Sequence, residues 1–132
     1  MNPKLQFLMQ QFERAISKLD EVLRAEYSEI TRDSAIQRFE FTFELCWKAL
    51  KAYAEDMGSA EIYYPKEALK SAFQLKLLDD EQGFLRMLKN RNLTSHTYNE
   101  SVANGIHQSL PQDLVLMRET LSRLKAKLGL QP

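Results

Sequence analysis

Residues 36 to 57 of this 132-residue chain place an apolar side chain at every third or fourth position without a fault. The series is Ile36, Phe39, Phe43, Cys46, Leu50, Tyr53 and Met57. Alternating steps of three and four are helical, whereas a half-buried strand needs alternation by two. The stripe predicts one long helix over about 32–57. Asp33 or Thr31 is available to cap its start, and Gly58 stands where a C′ glycine belongs. Phe41, Leu45 and Trp47 lie off the stripe, so the helix is apolar on more than one side. Such a helix is either central in a bundle or shared with a second subunit.

The rest of the chain has the same period. Leu5, Met9, Phe12, Ile16, Leu19 and Leu23 predict a first helix near 4–26. Pro65 suits the first turn of a short helix reaching about Lys76. Asp79 or Asp80 is placed to cap a further helix whose apolar face is Phe84, Leu85 and Leu88. Asn99 is read as the cap of a short helix through Gln108. Pro111 with Gln112-Asp113 is read as the opening of a separate last helix, striped by Leu114, Met117, Leu121, Leu124 and Leu128 and ended by Gly129. Four glycines and four prolines are too few for the frequent turns of an all-β fold. The expected architecture is all-α: an up-and-down bundle with two or three long helices and short ones around them, one domain over 1–132.

Composition narrows the function. Eighteen basic and eighteen acidic side chains cancel, so any contact with RNA or DNA must come from a local patch. Lys66, Lys70, Lys76, Arg86, Lys89 and Arg91 give a mild basic excess between 66 and 91. Cys46 is the only cysteine, which excludes an internal disulfide and a cysteine-built zinc site. The first residues show no signal-peptide core, and no apolar run approaches the roughly 20 residues that cross a bilayer. A cytoplasmic protein with a reduced thiol and no membrane partner is expected.

One segment breaks the helical monotony. RNLTSHTY, at 91 to 98, crowds Arg91, His96 and Tyr98 among Thr and Ser, which are weak helix formers. On an unbroken helix Arg91 and His96 diverge by about 140°, while Arg91 and Tyr98 share a face about 10 Å apart. Arg91 and His96 converge only if the helix ends or bends between Leu93 and Thr97. Arg91 also continues an apolar face, so its charge needs an acceptor. Glu40 or Glu44 on the long helix is expected to supply it, Glu44 having Lys48 as a second partner. An arginine holds phosphate bidentately. A histidine titrating near neutrality takes a proton from a 2′-hydroxyl or gives one to a leaving oxygen. Together they suffice for RNA cleavage without a metal ion. Tyr98 can stack a base or offer its hydroxyl for modification. The competing reading is an ordinary helix end with solvated charges. Elsewhere, His107 is expected at the surface or its boundary, and Cys46 and Trp47 in the packing.

This motif, together with RFEFTFELCWKALK at 38–51, resembles the HEPN superfamily. More narrowly it resembles the nucleotidyltransferase substrate-binding subunits, also described as toxins of HEPN/MNT modules. The resemblance spans about residues 5–125, and the R-x4-H-x-Y match is complete. It implies a helical bundle that forms a homodimer, with the paired motifs in a cleft at the interface. It implies a separate minimal nucleotidyltransferase as partner, bringing ATP and Mg²⁺, with no cofactor or metal held by this chain. Arg91 and His96 are then catalytic, Tyr98 is the acceptor of AMP, and Asn92 contacts phosphate or pins the turn. RNA, tRNA included, is the implied substrate. The alternative carried by the same family is a non-catalytic subunit that holds a nucleotide or substrate for the transferase.

Overall fold

The computed structural model describes residues 2–130, so both ends of the expected 1–132 span lie outside it. Among the described residues five α-helices follow one another: α1 (Pro3–Arg24), α2 (Glu29–Asp56), α3 (Pro65–Gln74), α4 (Glu81–Leu93) and α5 (Glu100–Lys127). A single 3₁₀ turn, Thr94–His96, separates α4 from α5. The three long helices α1, α2 and α5 pack together, and the shorter α3 and α4 close the remaining side. Helix α2 touches every other helix, so the stripe that predicted it is the bundle axis. Phe39, Phe43, Cys46 and Leu50 are fully buried there. Phe41 is 58% exposed, and one face of α2 is left open to solvent.

Local chemistry sets the helix ends. Asn2 caps α1 by accepting from the Lys4 and Leu5 amides, with Pro3 pre-set for the first turn. Helix α2 starts three residues before the expected 32. Its cap is Ser28 rather than Asp33 or Thr31: the Ser28 hydroxyl accepts from the Thr31 amide and Thr31 Oγ1 accepts from the Ser28 amide, 3.1 and 2.8 Å. Gly58 follows the α2 C-cap with φ 99°, a left-handed position that suits a residue without Cβ. Asp80 caps α4 through the Gly83 amide at 2.9 Å, while Asp79 binds Arg123 of α5. A Cβ on Gly83 would meet the Asp80 carboxylate at 2.6 Å, so the cap depends on that glycine. The buried face of α4 is Phe84 and Met87; Leu85 and Leu88, expected there, are only half-buried.

The largest departure from expectation is α5. The short helix after Asn99 and the last helix after Pro111 are one continuous helix with the proline inside it. An interior proline costs a helix roughly 3 kcal/mol. The buried stripe Ala103, Ile106, Leu110, Leu114, Met117, Leu121 runs straight through residue 111. Each large side chain in it contributes about 1.5–3 kcal/mol by leaving water, so burial outweighs the break. Pro111 and Gln112 face solvent. The basic residues near the end of α5 also do more than match the helix dipole. Lys125 binds Glu13 at 2.6 Å and Arg118 binds Asp20 at 3.3 Å, tying α5 to α1.

Asp113, read from sequence as part of a helix start, is instead fully buried and paired with Arg86 of α4 at 3.2 Å. Arg86 is thereby committed to the fold rather than to a basic surface. One Asp113 oxygen has no partner. Burial pushes this carboxyl up from 3.8 to about 6, against the pull of Arg86. A carboxyl that ionises less readily in the folded chain favours folding while protonated. Its contribution is full below 3.8 and is lost as pH rises through about 6. At ~1.4 kcal/mol per pH unit the loss is on the order of 3 kcal/mol. Wild type is therefore expected to lose that much stability relative to Asp113→Asn between about pH 4 and about pH 7, in urea unfolding of both proteins. A difference that stays constant across this interval would refute it.

Candidate functional site

The motif sits where α4 ends. Thr94 Oγ1 donates to the Arg91 carbonyl at 2.7 Å, and Thr97 Oγ1 donates to the Thr94 carbonyl at 3.2 Å. These hydroxyls satisfy carbonyls that a helix end leaves without partners. The Thr and Ser residues of RNLTSHTY thus close one helix. Asn99 opens the next by accepting from the Ser101 and Val102 amides. The required bend falls within the stretch expected for it, Leu93 to Thr97.

Arg91 lies four residues beyond the buried Met87 and points back towards α2. Its Nη2 donates to Glu44 Oε2 at 3.0 Å, and its Nη1 to Asn92 Oδ1 at 3.1 Å. Glu44 also accepts Lys48 at 3.5 Å. Of the two acids proposed to orient Arg91, Glu44 does so and Glu40 does not. Glu40 instead lines a shallow acidic groove with Asp33, Ser34, Gln37 and Thr97. On α2 Glu40 lies one turn before Glu44, outside the reach of the guanidinium. Asn92 pins the arginine within the motif.

Partial burial raises the Glu44 carboxyl, but its neighbours outweigh this and hold it below the usual carboxylate range. The Trp47 indole N–H lies near Glu44, yet it is buried without a hydrogen-bond partner of normal geometry. The guanidinium and the Lys48 ammonium therefore supply the firmer part of the effect. Glu44 thus stays ionised, and the pair with Arg91 is lost only as pH falls through the lowered carboxyl value.

His96 and Tyr98 are both exposed, Tyr98 at 81%. His96 Nδ1 lies 3.2 Å from the Tyr98 hydroxyl, and the rings meet edge-on with centroids 5.8 Å apart. Among the described residues no hydrogen bond joins Arg91 to His96. Two of the five guanidinium N–H groups are used, which leaves three for an anion. His96 Nε2 has no hydrogen-bond partner among the described residues, on the 3₁₀ turn that follows α4. The site thus offers a fixed, half-buried cation beside an exposed titratable ring and an exposed phenol.

A supporting cluster escaped sequence reasoning. Arg32 of α2 is 3% exposed. It binds Glu100 at 2.6 Å, Asn104 at 3.2 Å and Asp33 at 3.0 Å. Glu100 and Asn104 lie in the first turns of α5, so Arg32 anchors the chain directly after the motif. The available signal was the Glu100 and Asn104 spacing of four beside an arginine early in α2, too common a pattern to single out. His107, half-buried, packs edge-on against Tyr27 at 5.4 Å, in keeping with a boundary position. No helix among the described residues is long and apolar enough to cross a membrane.

Residues 8–126 match the family described as nucleotidyltransferase substrate binding protein like. The chain belongs to this family. A Haemophilus influenzae relative, named probable ribonuclease HepT, is 29% identical over 100 residues, 70% of this chain. That stretch spans 66% of the relative, just under two thirds of its length. A solved structure from Thermus thermophilus is 42% identical, with TM-score 0.81 over 86% of this chain and 98% of that one. The tri-AMPylated HEPN toxin of Shewanella oneidensis, solved in complex with its MNT antitoxin, shares the fold at TM-score 0.78 and 16% identity, covering 96% of this chain and 99% of that one. A Haemophilus influenzae structure described as the fold of a substrate binding domain of a nucleotidyltransferase gives TM-score 0.68 at 24% identity over 92% of this chain and 96% of that one. This nucleotidyltransferase substrate binding chain therefore has the HEPN fold, with R-x4-H-x-Y at the turn between its last two helices.

Proposed function

We propose that this chain is a HEPN ribonuclease, the toxin of a two-gene toxin–antitoxin module, cleaving RNA without a metal ion. The observation that carries the reading is the braced Arg91 in the last turn of α4 with an exposed His96 on the 3₁₀ turn that directly follows. Mere anion binding has no use for a titratable ring beside the arginine. In the reaction a ribose 2′-hydroxyl attacks the adjacent phosphorus and the 5′-oxygen leaves. Arg91 holds the non-bridging oxygens, and an imidazole takes the first proton or returns one to the leaving oxygen. A single histidine performs one transfer at a time. A homodimer with facing motifs supplies the second, and the open face of α2 around Phe41 suits such an interface.

In this reading a separate minimal nucleotidyltransferase restrains the toxin, bringing its own ATP and Mg²⁺. Tyr98 is the acceptor of AMP: its phenol oxygen attacks the α-phosphorus and pyrophosphate leaves. The relative named a probable ribonuclease and the AMPylated toxin of the same fold support both steps. A nucleotide- or substrate-binding subunit is the second reading, favoured by the structure described as a substrate binding domain and by the zero net charge.

The test is RNA cleavage in EDTA by purified wild type beside His96→Ala. Loss of cleavage by about 10²-fold or more in a variant that stays folded is expected, the range typical of positioned acid–base groups. Equal cleavage by both proteins would remove His96 from the mechanism. No cleavage by a wild type whose mass shows an unmodified Tyr98, on tRNA as on other RNAs, would favour the binding subunit.

A further inference from the structure

A cavity of about 530 Å³ opens between the first turns of α1 and the second half of α2. That volume lies within the range of small-ligand sites. Its walls combine cationic and aromatic side chains. Lys4, Lys48 and Lys51 bring three ammonium groups to it, and the N-terminus of the 22-residue α1 adds its positive dipole end. Phe7 is 59% exposed there although its helix neighbours Leu5 and Leu8 are buried. Trp47 borders the cavity at 7% exposure. Two acids also line the walls. Glu55 is engaged by the Ile62 amide at 2.7 Å, and Asp56 lies at the exposed end of α2.

One side chain links the cavity to the motif. Lys48 on its wall is the second partner of Glu44, which holds Arg91. An extended anion lying on Arg91 would pass along α2 to Lys48 and Lys51, one and two turns on.

We propose that this groove is a nucleotide subsite, distinct from the R-x4-H motif, taking a nucleobase with its phosphate. The base lies on Phe7, and the phosphate meets Lys51 and Lys48. The proposal rests on the reading of the motif as an RNA site for that link, but not for its test. A nucleotide flanking the cleaved bond and a free mononucleotide share this chemistry, and they differ in how tightly each binds.

Trp47 is the only tryptophan, so its fluorescence reports on this groove directly. Full-length protein is titrated with AMP and, separately, with a short single-stranded RNA in EDTA, using His96→Ala so that the RNA stays intact. Saturable quenching is expected with at least one of them. Lys51→Glu and Phe7→Ala are expected to weaken it by about tenfold or more, the scale of losing one stacked base or one phosphate contact. Tighter binding of the RNA than of AMP assigns the groove to a flanking nucleotide; equal or tighter AMP assigns it to a free one. Absence of saturable quenching with both, or quenching untouched by both substitutions, overturns the proposal. So does a change of oligomeric state in Phe7→Ala, which would make the groove a contact between copies. Because the readout is binding, a protein that never cleaves RNA still decides the question.

Discussion

Replacing Arg91 by alanine is expected to lower RNA cleavage by about 10²–10³-fold, the usual loss when one preorganised donor to a developing charge is removed. The side chain is fixed before substrate arrives by Glu44 at 3.0 Å and Asn92 at 3.1 Å, so no ordering cost falls on the reaction. Lysine would not repair the loss. It carries a point charge that cannot both bridge to Glu44 and present a planar fork to phosphate. Glu44→Gln keeps an acceptor near the guanidinium and is expected to cost about tenfold, through positioning alone. Stability should change by less than about 1 kcal/mol, because the Arg91–Glu44 pair is partly exposed and solvent screens it. The measurement is the initial rate in EDTA with far-ultraviolet circular dichroism as the folding control. An Arg91→Ala protein cleaving within about threefold of wild type would contradict the assignment of a phosphate-binding role.

Phe43→Ala is expected to destabilise the chain by about 3–5 kcal/mol. Phe43 is fully buried near the middle of α2 and packs against Phe39 with ring centroids 6.0 Å apart. Helix α2 touches all the others, so the cavity left behind cannot collapse by moving one neighbour. A domain of this kind has about 5–15 kcal/mol in total, so the variant sits near the folding threshold. Phe41→Ala is the control on the same helix. Its side chain is 58% exposed, and a surface change of this sort stays within about 0.5 kcal/mol. Urea unfolding at two protein concentrations separates the cases. A Phe43→Ala loss below about 1 kcal/mol would show that the core repacks. A Phe41→Ala loss that is larger at the higher concentration and shrinks on dilution would place this residue in a dimer interface, as the proposed function requires.

How much was legible in advance differs from residue to residue. The stripe from Ile36 to Tyr53 and the caps at Asn99, Gly58 and Gly129 were readable, and that of α4 was narrowed to Asp79 or Asp80, because each depends on neighbours within one turn. The break between Leu93 and Thr97 was readable for the same reason: Thr and Ser hydroxyls compete with the helix for its own carbonyls. Pro111 misled because a local rule was applied where a non-local one decides. The proline removes one hydrogen bond, but the stripe on either side is buried by α1, α2 and α4, which a local window does not contain. Asp113 misled in the same way, since Pro-x-Asp is also the signature of a helix start. Met57, the last member of the stripe, is 61% exposed at the helix cap, where the partner helices end.

By itself the sequence determined the class of fold and the position of the motif, because period, capping and turn chemistry act between residues a few positions apart. It left two acids equivalent beside Arg91, and it gave no sign that Arg32 would be buried under Glu100 and Asn104. Those outcomes belong to the tertiary structure. The rotation and offset with which α4 and α5 lie on α2 decide that Glu44, not Glu40, meets the guanidinium. The packing of α1 against α2 likewise brings Lys4 and Phe7 to Trp47 and Lys51, about forty positions away in the chain. Such placements are set by how all five helices fill one core together, and no window of the sequence contains that sum.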